Sequence, residues 1–348
     1  MIFSRRPTTP IHSMPQHPAS RVRARAWCRI DLAGGTLDLW PLGLLHPGSR
    51  TVNLAIDLPV VVDLSLAEKS YRVRQGDSEV VVDSARELAA TDQGALVGQI
   101  ALDVGLPPVT IEIDSASPLG GGLGASSALT VAILSAAEAL VGDDPSSATQ
   151  LARKARDIEA RLMSLPTGVQ DHYPALLGGA LEIEYRPGGE SVRNLGVDLE
   201  AFGDSVVVAY TGRSHFSAGN NWRIVRRRLD GDPGIIELFD GIRDTARQVP
   251  QALEEGDWEL AGKLVAQEWG FRSRLAEGIS TSEIEDLLAA AEREGAWGGK
   301  ACGAGGGGCL VILCPAARRR RIAEVLAASG ARVLPARPVA GGLEVVPS

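Results

Sequence analysis

The sequence predicts an α+β protein of two domains. Three observations carry that prediction. Strand and helix patterns follow one another irregularly and include a hairpin, so antiparallel pairs are expected rather than a doubly wound parallel sheet. A glycine-rich loop opens a long helical pattern at 118–128, and a second glycine cluster lies between strand patterns at 300–308. The length, 348 residues, suffices for two cores. Pro187-Gly188-Gly189 begins a polar stretch that offers a boundary between domains at 21–190 and 200–345.

In order along the chain, Val22–Leu32 alternates and reads as a strand, broken by Gly34-Gly35. Thr51–Leu66 is a long strand pattern, and Tyr71–Arg74 with Val80–Val82 forms the hairpin. Glu87–Val104 has helical periodicity, and Pro108–Ile113 is a strand that feeds the glycine loop. Helices are predicted at Ser126–Leu140 and Ser147–Met163, with a strand at Ala180–Tyr185. Beyond the boundary, Ser205–Tyr210 reads as a strand, and helices fill Asn220–Leu229, Ile235–Glu254, Glu259–Ala276 and Ser282–Glu294. Cys309–Cys314 is a continuous apolar run expected as a buried strand, followed by a helix at Ala316–Ala328 and a last strand. Residues 1–20 hold Arg5, Arg6 and prolines without an apolar run, and read as a disordered extension rather than a signal peptide. Whether Met1 or Met14 starts the chain stays open.

Pro118-Leu-Gly-Gly-Gly-Leu-Gly-Ala-Ser-Ser-Ala128 is the most informative stretch. A glycine-rich loop that opens a helix presents unpaired N–H groups and the positive end of the helix dipole to an anion. Serine hydroxyls at its end suit a magnesium ion that bridges phosphates. No lysine follows the glycines, so this is not a Walker A loop, and the Rossmann spacing is not met either. Lys300-Ala-Cys-Gly-Ala-Gly-Gly-Gly-Gly308 reads as a hairpin loop, and the two glycine clusters suggest two walls of one pocket.

Arg29-Ile-Asp-Leu-Ala-Gly-Gly-Thr-Leu-Asp38, Pro118–Ala128 and Gly303–Gly308 resemble, in order, the three motifs of the GHMP small-molecule kinases. The resemblance covers about residues 22–340. It implies a ribosomal protein S5 domain 2-like N-terminal domain, a ferredoxin-like C-terminal domain and an active site in the cleft between them. It also implies ATP as donor, with Pro118, Gly120, Gly121, Gly122, Leu123, Gly124, Ala125, Ser126 and Ser127 around its phosphates. Mg2+ would be held by Ser127 and Glu159, with Ser126 the second choice of hydroxyl. Leu165-Pro-Thr-Gly-Val-Gln-Asp-His-Tyr173 resembles the segment that carries the catalytic aspartate, so Asp171 would take or polarise the acceptor proton. Arg29 stands where the family places a basic residue, which would stabilise developing charge. Asp38 aligns with the sugar-binding aspartate, and Gly34, Gly35, Gly305 and Gly306 fall on the substrate side. The alternatives are that Glu159 is a solvated helix residue and Asp171 an ordinary turn former, while for His172 a structural or substrate-orienting role stands beside catalysis.

Gly34-Gly35-Thr36 replaces the Gly-Glu-His of galactokinases, which moves the resemblance towards the branch with heptose 7-phosphate kinases and fucokinases. Thr36-Leu37 departs in turn from that branch's Gly-Gly-Gly-Thr-Asp run. Arg213 and Arg223, with Ser214 and Ser217, cluster at an expected helix start, which suits an anionic sugar substituent. The implied activity is ATP-dependent phosphorylation of a sugar or sugar-phosphate hydroxyl, foremost the anomeric hydroxyl of a heptose 7-phosphate. A fucokinase-like or galactokinase-like sugar 1-kinase and a non-catalytic ligand sensor with the same fold are the alternatives.

The composition agrees with a small-molecule enzyme. A net charge of −8 argues against a nucleic-acid partner, and no apolar run is long enough for a membrane span. Cys28, Cys302, Cys309 and Cys314 fit no zinc spacing and read as buried free thiols of a reducing cytoplasm. The oligomeric state, monomer or homodimer, stays open.

Overall fold

The computed structural model describes residues 20–213 and 218–348. Strand β1 (Arg21–Ala33) buries Val22, Ala24, Ala26, Cys28, Ile30 and Leu32, the period of two seen in the sequence. A short helix α1 (Leu42–Leu45) leads to β2 (Arg50–Leu66) and to the hairpin of β3 (Tyr71–Gln75) and β4 (Ser78–Val82). Then come α2 (Ala85–Ala89), α3 (Ala95–Val104), β5 (Val109–Ser115), α4 (Ala125–Val141), α5 (Ala148–Met163), α6 (His172–Leu177), β6 (Ala180–Arg186) and β7 (Gly189–Asn194). The chain continues through α7 (Leu199–Asp204), β8 (Val206–Tyr210), α8 (Ala218–Leu229), α9 (Pro233–Ala246), α10 (Val249–Glu254), α11 (Trp258–Arg272) and α12 (Ser282–Arg293). It ends with β9 (Gly298–Ala301), β10 (Cys309–Leu313), α13 (Ala316–Ala328), β11 (Arg332–Leu334) and β12 (Glu344–Pro347).

Two sheets organise these elements. The first runs β12-β1-β2-β5-β3-β4, with β6 on β2 and β7 on β6, and only β3 and β5 pair in parallel. The length of β2 lets it serve two neighbours, β6 along Arg50–Leu54 and β5 along Val60–Leu66. The second sheet, β11-β8-β10-β9, is antiparallel. Helix α4 is apolar on nearly every face because it is buried between the first sheet and its neighbours α3 and α5.

The sequence reading is refined at four places. The expected helix Glu87–Val104 is two helices, since Thr91 Oγ accepts the Gly94 N–H at 3.0 Å and turns the chain. Ile235–Glu254 is likewise split, because Pro250 cannot donate within a continuing helix and sits instead at the start of α10. Pro187-Gly188-Gly189 turns the β6–β7 hairpin, so the first sheet extends to Asn194. The chain also returns to that sheet at its end, where β12 pairs with β1. Of the expected extension 1–20, all but Ser20 lies outside the described residues.

The link between the halves positions the site. Leu37, Leu39 and Leu42 follow β1 yet belong to the core under the second sheet, with Val207, Phe239 and Leu310. The segment between β1 and α1 is therefore pinned across the cleft, and Asp38 is held between two anchored leucines.

Candidate active site

The two glycine loops meet backbone to backbone. Gly122 and Gly303 both have positive φ, and a Cβ on Gly303 would lie 2.9 Å from Gly122 Cα. Only glycine permits both the conformation and the approach. Cys309 N–H donates to Gly121 O at 2.8 Å and fixes the contact.

Arg29, on β1, is buried below this junction. Its Nη1 donates to Gly122 O at 2.6 Å, while Nε and Nη2 donate to Asp171 Oδ1 at 2.9 and 2.7 Å. Burial works against the Arg29 charge, but Asp171 and Asp31 outweigh it and raise its pKa above the usual range. Both of these bonds to Asp171 use Oδ1. Among the described residues no hydrogen bond reaches Oδ2, and the Asp171 side chain is 28% exposed.

Two adjoining chambers share this centre. One, of about 610 Å3, is lined by 117–126 and Leu129 among others, which brings Pro118, Gly120, Gly121, Gly122, Leu123, Gly124, Ala125 and Ser126 together around one space. The other, of about 300 Å3, is lined by Asp38, Ser127, Glu159, Gln170 and Arg272 among others. Arg29, Ser126, Asp171, Gly303 and Ala304 line both. Asp171 thus stands at the boundary between the glycine-loop chamber and the second one.

Glu159 and Ser127 are brought together although 32 residues apart. Ser127 Oγ donates to Glu159 Oε2 at 3.2 Å and Thr130 Oγ to Glu159 Oε1 at 2.9 Å. His172 Nε2 lies 3.3 Å from Oε2, an ionic contact rather than an aligned hydrogen bond. Burial raises the Glu159 pKa, but His172, Thr130 and Ser127 outweigh it and hold the carboxyl low. Burial likewise lowers that of His172, and Glu159 outweighs it and raises it. This two-oxygen set fits the hard donors that Mg2+ uses together with phosphate oxygens.

Asp38 accepts from Gln170 N and Nε2, both at 3.3 Å. Burial, then the charge of Asp171, push its carboxyl up to about 6. The other expected substrate residues are placed elsewhere. Gly34 N–H donates to Glu268 Oε1 at 3.2 Å, and Gly35 packs on Arg272, so both act behind the wall. Gly305 and Gly306 turn towards Ile279, whose carbonyl accepts the Gly306 N–H at 2.7 Å. It is Gly303 and Ala304 that reach the chambers. Arg213 pairs with Glu283 at 2.7 Å beside a separate cavity, and Arg223 is exposed on α8 and lines neither chamber. The expected anion cluster is therefore not assembled at the cleft. Ser214 and Ser217 lie outside the described residues.

Four residues escaped the sequence reading. Lys300 Nζ is buried between Asp31 Oδ2 at 3.0 Å and Glu268 Oε2 at 2.8 Å. Asp31 Oδ1 also accepts the Gly303 N–H at 2.8 Å, which ties the second glycine loop to β1. Arg272 donates to Gly303 O at 2.6 Å. Strand periodicity could have revealed Asp31, which shares a face with Arg29 two residues earlier. Nothing local marks Glu268 or Arg272.

Residues 88–179 match the family pattern described as GHMP kinases N terminal domain, and 251–332 match that described as GHMP kinases C terminal. The chain is 25% identical over 309 residues to a D-glycero-alpha-D-manno-heptose 7-phosphate kinase of Campylobacter jejuni, across 82% of this chain and 86% of that protein. It is 32% identical over 203 residues to a mevalonate kinase of Pyrococcus abyssi, across 57% of each. Among solved structures it resembles a D-glycero-D-manno-heptose 1-phosphate kinase from Bacteroides thetaiotaomicron, with a TM-score of 0.76 and 21% identity over 93% of this chain and 98% of that one. It also resembles Lactococcus lactis galactokinase complexed with galactose, with a TM-score of 0.77 and 16% identity over 94% and 95%. At such identities these structures establish the shared fold. With both family domains in order on that fold, around two glycine loops that meet above an Arg29–Asp171 pair, the chain belongs to the GHMP kinases, a family of ATP-dependent small-molecule kinases.

Proposed function

We propose that the protein transfers the γ-phosphoryl group of ATP to a hydroxyl of a sugar phosphate, foremost the anomeric hydroxyl of a heptose 7-phosphate. The observation that carries this reading is the boundary position of Asp171, which lines both the phosphate cradle and the chamber that holds Asp38. In the proposed reaction the acceptor oxygen forms the new P–O bond, its proton passes to Asp171 Oδ2, and the bond to ADP breaks. Arg29 keeps Asp171 oriented and adds positive charge beside the transferring group. The N–H groups opening α4 cradle phosphate oxygens, and Asp38 accepts hydroxyl hydrogen bonds from the acceptor. Mg2+, held by Ser127 and Glu159, would neutralise phosphate charge when bound. Four buried, unpaired cysteines support a reducing compartment such as the cytoplasm.

The test compares heptose 7-phosphate, fucose, galactose and mevalonate side by side at equal ATP by coupled ADP release. The highest kcat/KM is expected for heptose 7-phosphate. A higher value for a free sugar overturns the heptose phosphate reading but keeps a sugar kinase, and turnover of mevalonate alone overturns both.

Ser127→Ala and Glu159→Gln should each raise the Mg2+ concentration for half-maximal rate by about tenfold or more, because each removes a hard oxygen ligand or a formal charge. Magnesium titrations that superimpose on the parent's in both variants would show that the cation is held elsewhere.

A further inference from the structure

We propose that Arg272 holds an anionic group of the phosphoryl acceptor and so decides between charged and uncharged acceptors. The inference rests on the reading of the smaller chamber as the acceptor site. Arg272 closes α11, is 3% exposed, and lines that chamber together with Asp38, Thr36 and Gly303. Nη2 is used by Gly303 O, while Nε and Nη1 have no hydrogen-bond partner among the described residues. Glu268 stands 4.0 Å from Nη1, and its carboxylate is engaged by Lys300 at 2.8 Å.

A guanidinium N–H donates a charge-assisted hydrogen bond to a phosphate or carboxylate oxygen, and Nε and Nη1 each have one to give. Buried donors without partners are costly, so a guanidinium kept in that state gains from an oxyanion that enters beside it. The chamber offers few other cations. Of its lining residues only Arg29 and Arg272 are cationic, and Arg29 is committed to Asp171 and Gly122. Gly35 sets the guanidinium's position, since a methyl group there would overlap Nη1 and come within 3.0 Å of Cζ. The anion recognition expected at Arg213 and Arg223 thus falls to a residue on the opposite wall.

The experiment measures kcat and KM separately for heptose 7-phosphate, mevalonate and uncharged mannose in the parent, Arg272→Gln, Arg272→Lys and Gly35→Ala. Binding of a non-hydrolysable ATP analogue is measured in each. For whichever anionic acceptor the parent turns over, Arg272→Gln should raise KM by about 10- to 150-fold, the range for a charge-assisted hydrogen bond. Lysine should restore part of the loss. Gly35→Ala, which keeps the charge but displaces the guanidinium, should raise KM several-fold. The kcat/KM for mannose and the nucleotide affinity should fall by several-fold less than the kcat/KM for the anionic acceptor. An equal loss on mannose, a fall in kcat at unchanged KM, or a parent that turns over only uncharged sugars overturns the inference. Should Arg272→Gln fail to fold, unchanged anion KM in both Arg272→Lys and Gly35→Ala overturns it as well. A parent that uses mevalonate and not heptose 7-phosphate ends the sugar kinase reading, yet the same variants still decide the role of Arg272.

Discussion

Asp171→Asn is expected to lower kcat by about 10²- to 10⁴-fold, the usual contribution of a positioned general base. The amide keeps the size of the side chain, and its carbonyl can still accept from Arg29, which engages Asp171 Oδ1 through Nε and Nη2 at 2.9 and 2.7 Å. What it loses is the capacity of the second oxygen to take a proton. Nucleotide affinity should change little, because residues 117–126 form most of the wall of the glycine-loop chamber and the amide keeps the size of the one side chain that Asp171 adds to it. Stopped-flow turnover and equilibrium binding of an ATP analogue separate the two effects. Turnover within a few-fold of the parent's would remove Asp171 from the chemistry.

Lys300→Met should cost about 3–5 kcal/mol of folding stability, as expected when one partner of a buried ion pair is removed. Asp31 and Glu268 are fully buried and would lose the ammonium that lies 3.0 and 2.8 Å away. Burial alone would raise the Asp31 pKa, but Lys300, Arg29 and Arg272, with the Gly303 N–H, outweigh it and hold it below the ordinary value. A depressed carboxyl contributes stability above its unfolded pKa of about 3.9 and loses it as pH falls through the folded value. Without Lys300 the same carboxyl is held down less, by Arg29, Arg272 and the Gly303 N–H alone, so the variant's deficit should be widest at neutral pH and narrow towards about pH 4. Urea unfolding at both pH values checks this, and a neutral-pH loss below about 1 kcal/mol would show that the triad is not load-sharing. Because Asp31 also holds the Gly303 N–H, the variant should raise KM before it unfolds.

The elements most legible from the chain were those with long, clean periods. The alternation of β1 and the all-apolar face of α4 are each written in consecutive residues, and the structure reproduces both. The splits at Gly94 and Pro250 were less legible because helical periodicity persists across a short turn. The hairpin at Pro187-Gly188-Gly189 looked like a boundary because a polar edge strand and a linker share a composition.

Read alone, the sequence determined the two glycine loops, the helix that the first of them opens and, through three ordered motifs, the family. These depend on residue types at fixed local spacing, which a glycine loop before a helix or a motif of ten residues carries within itself. Only the tertiary structure decided which side chains face the second chamber and which buried charges stand behind it. Arg272 lines the chamber, while Glu268, Lys300 and Asp31 lie buried; the four come from α11, β9 and β1, and their distances follow from how the second sheet and its helices pack against the first. Arg213 and Arg223 had the right chemistry but the wrong placement, since Arg213 pairs with Glu283 beside a different cavity and Arg223 lines neither chamber. Charge and hydrogen-bonding capacity are properties of a residue, whereas the direction in which it spends them is set by long-range packing.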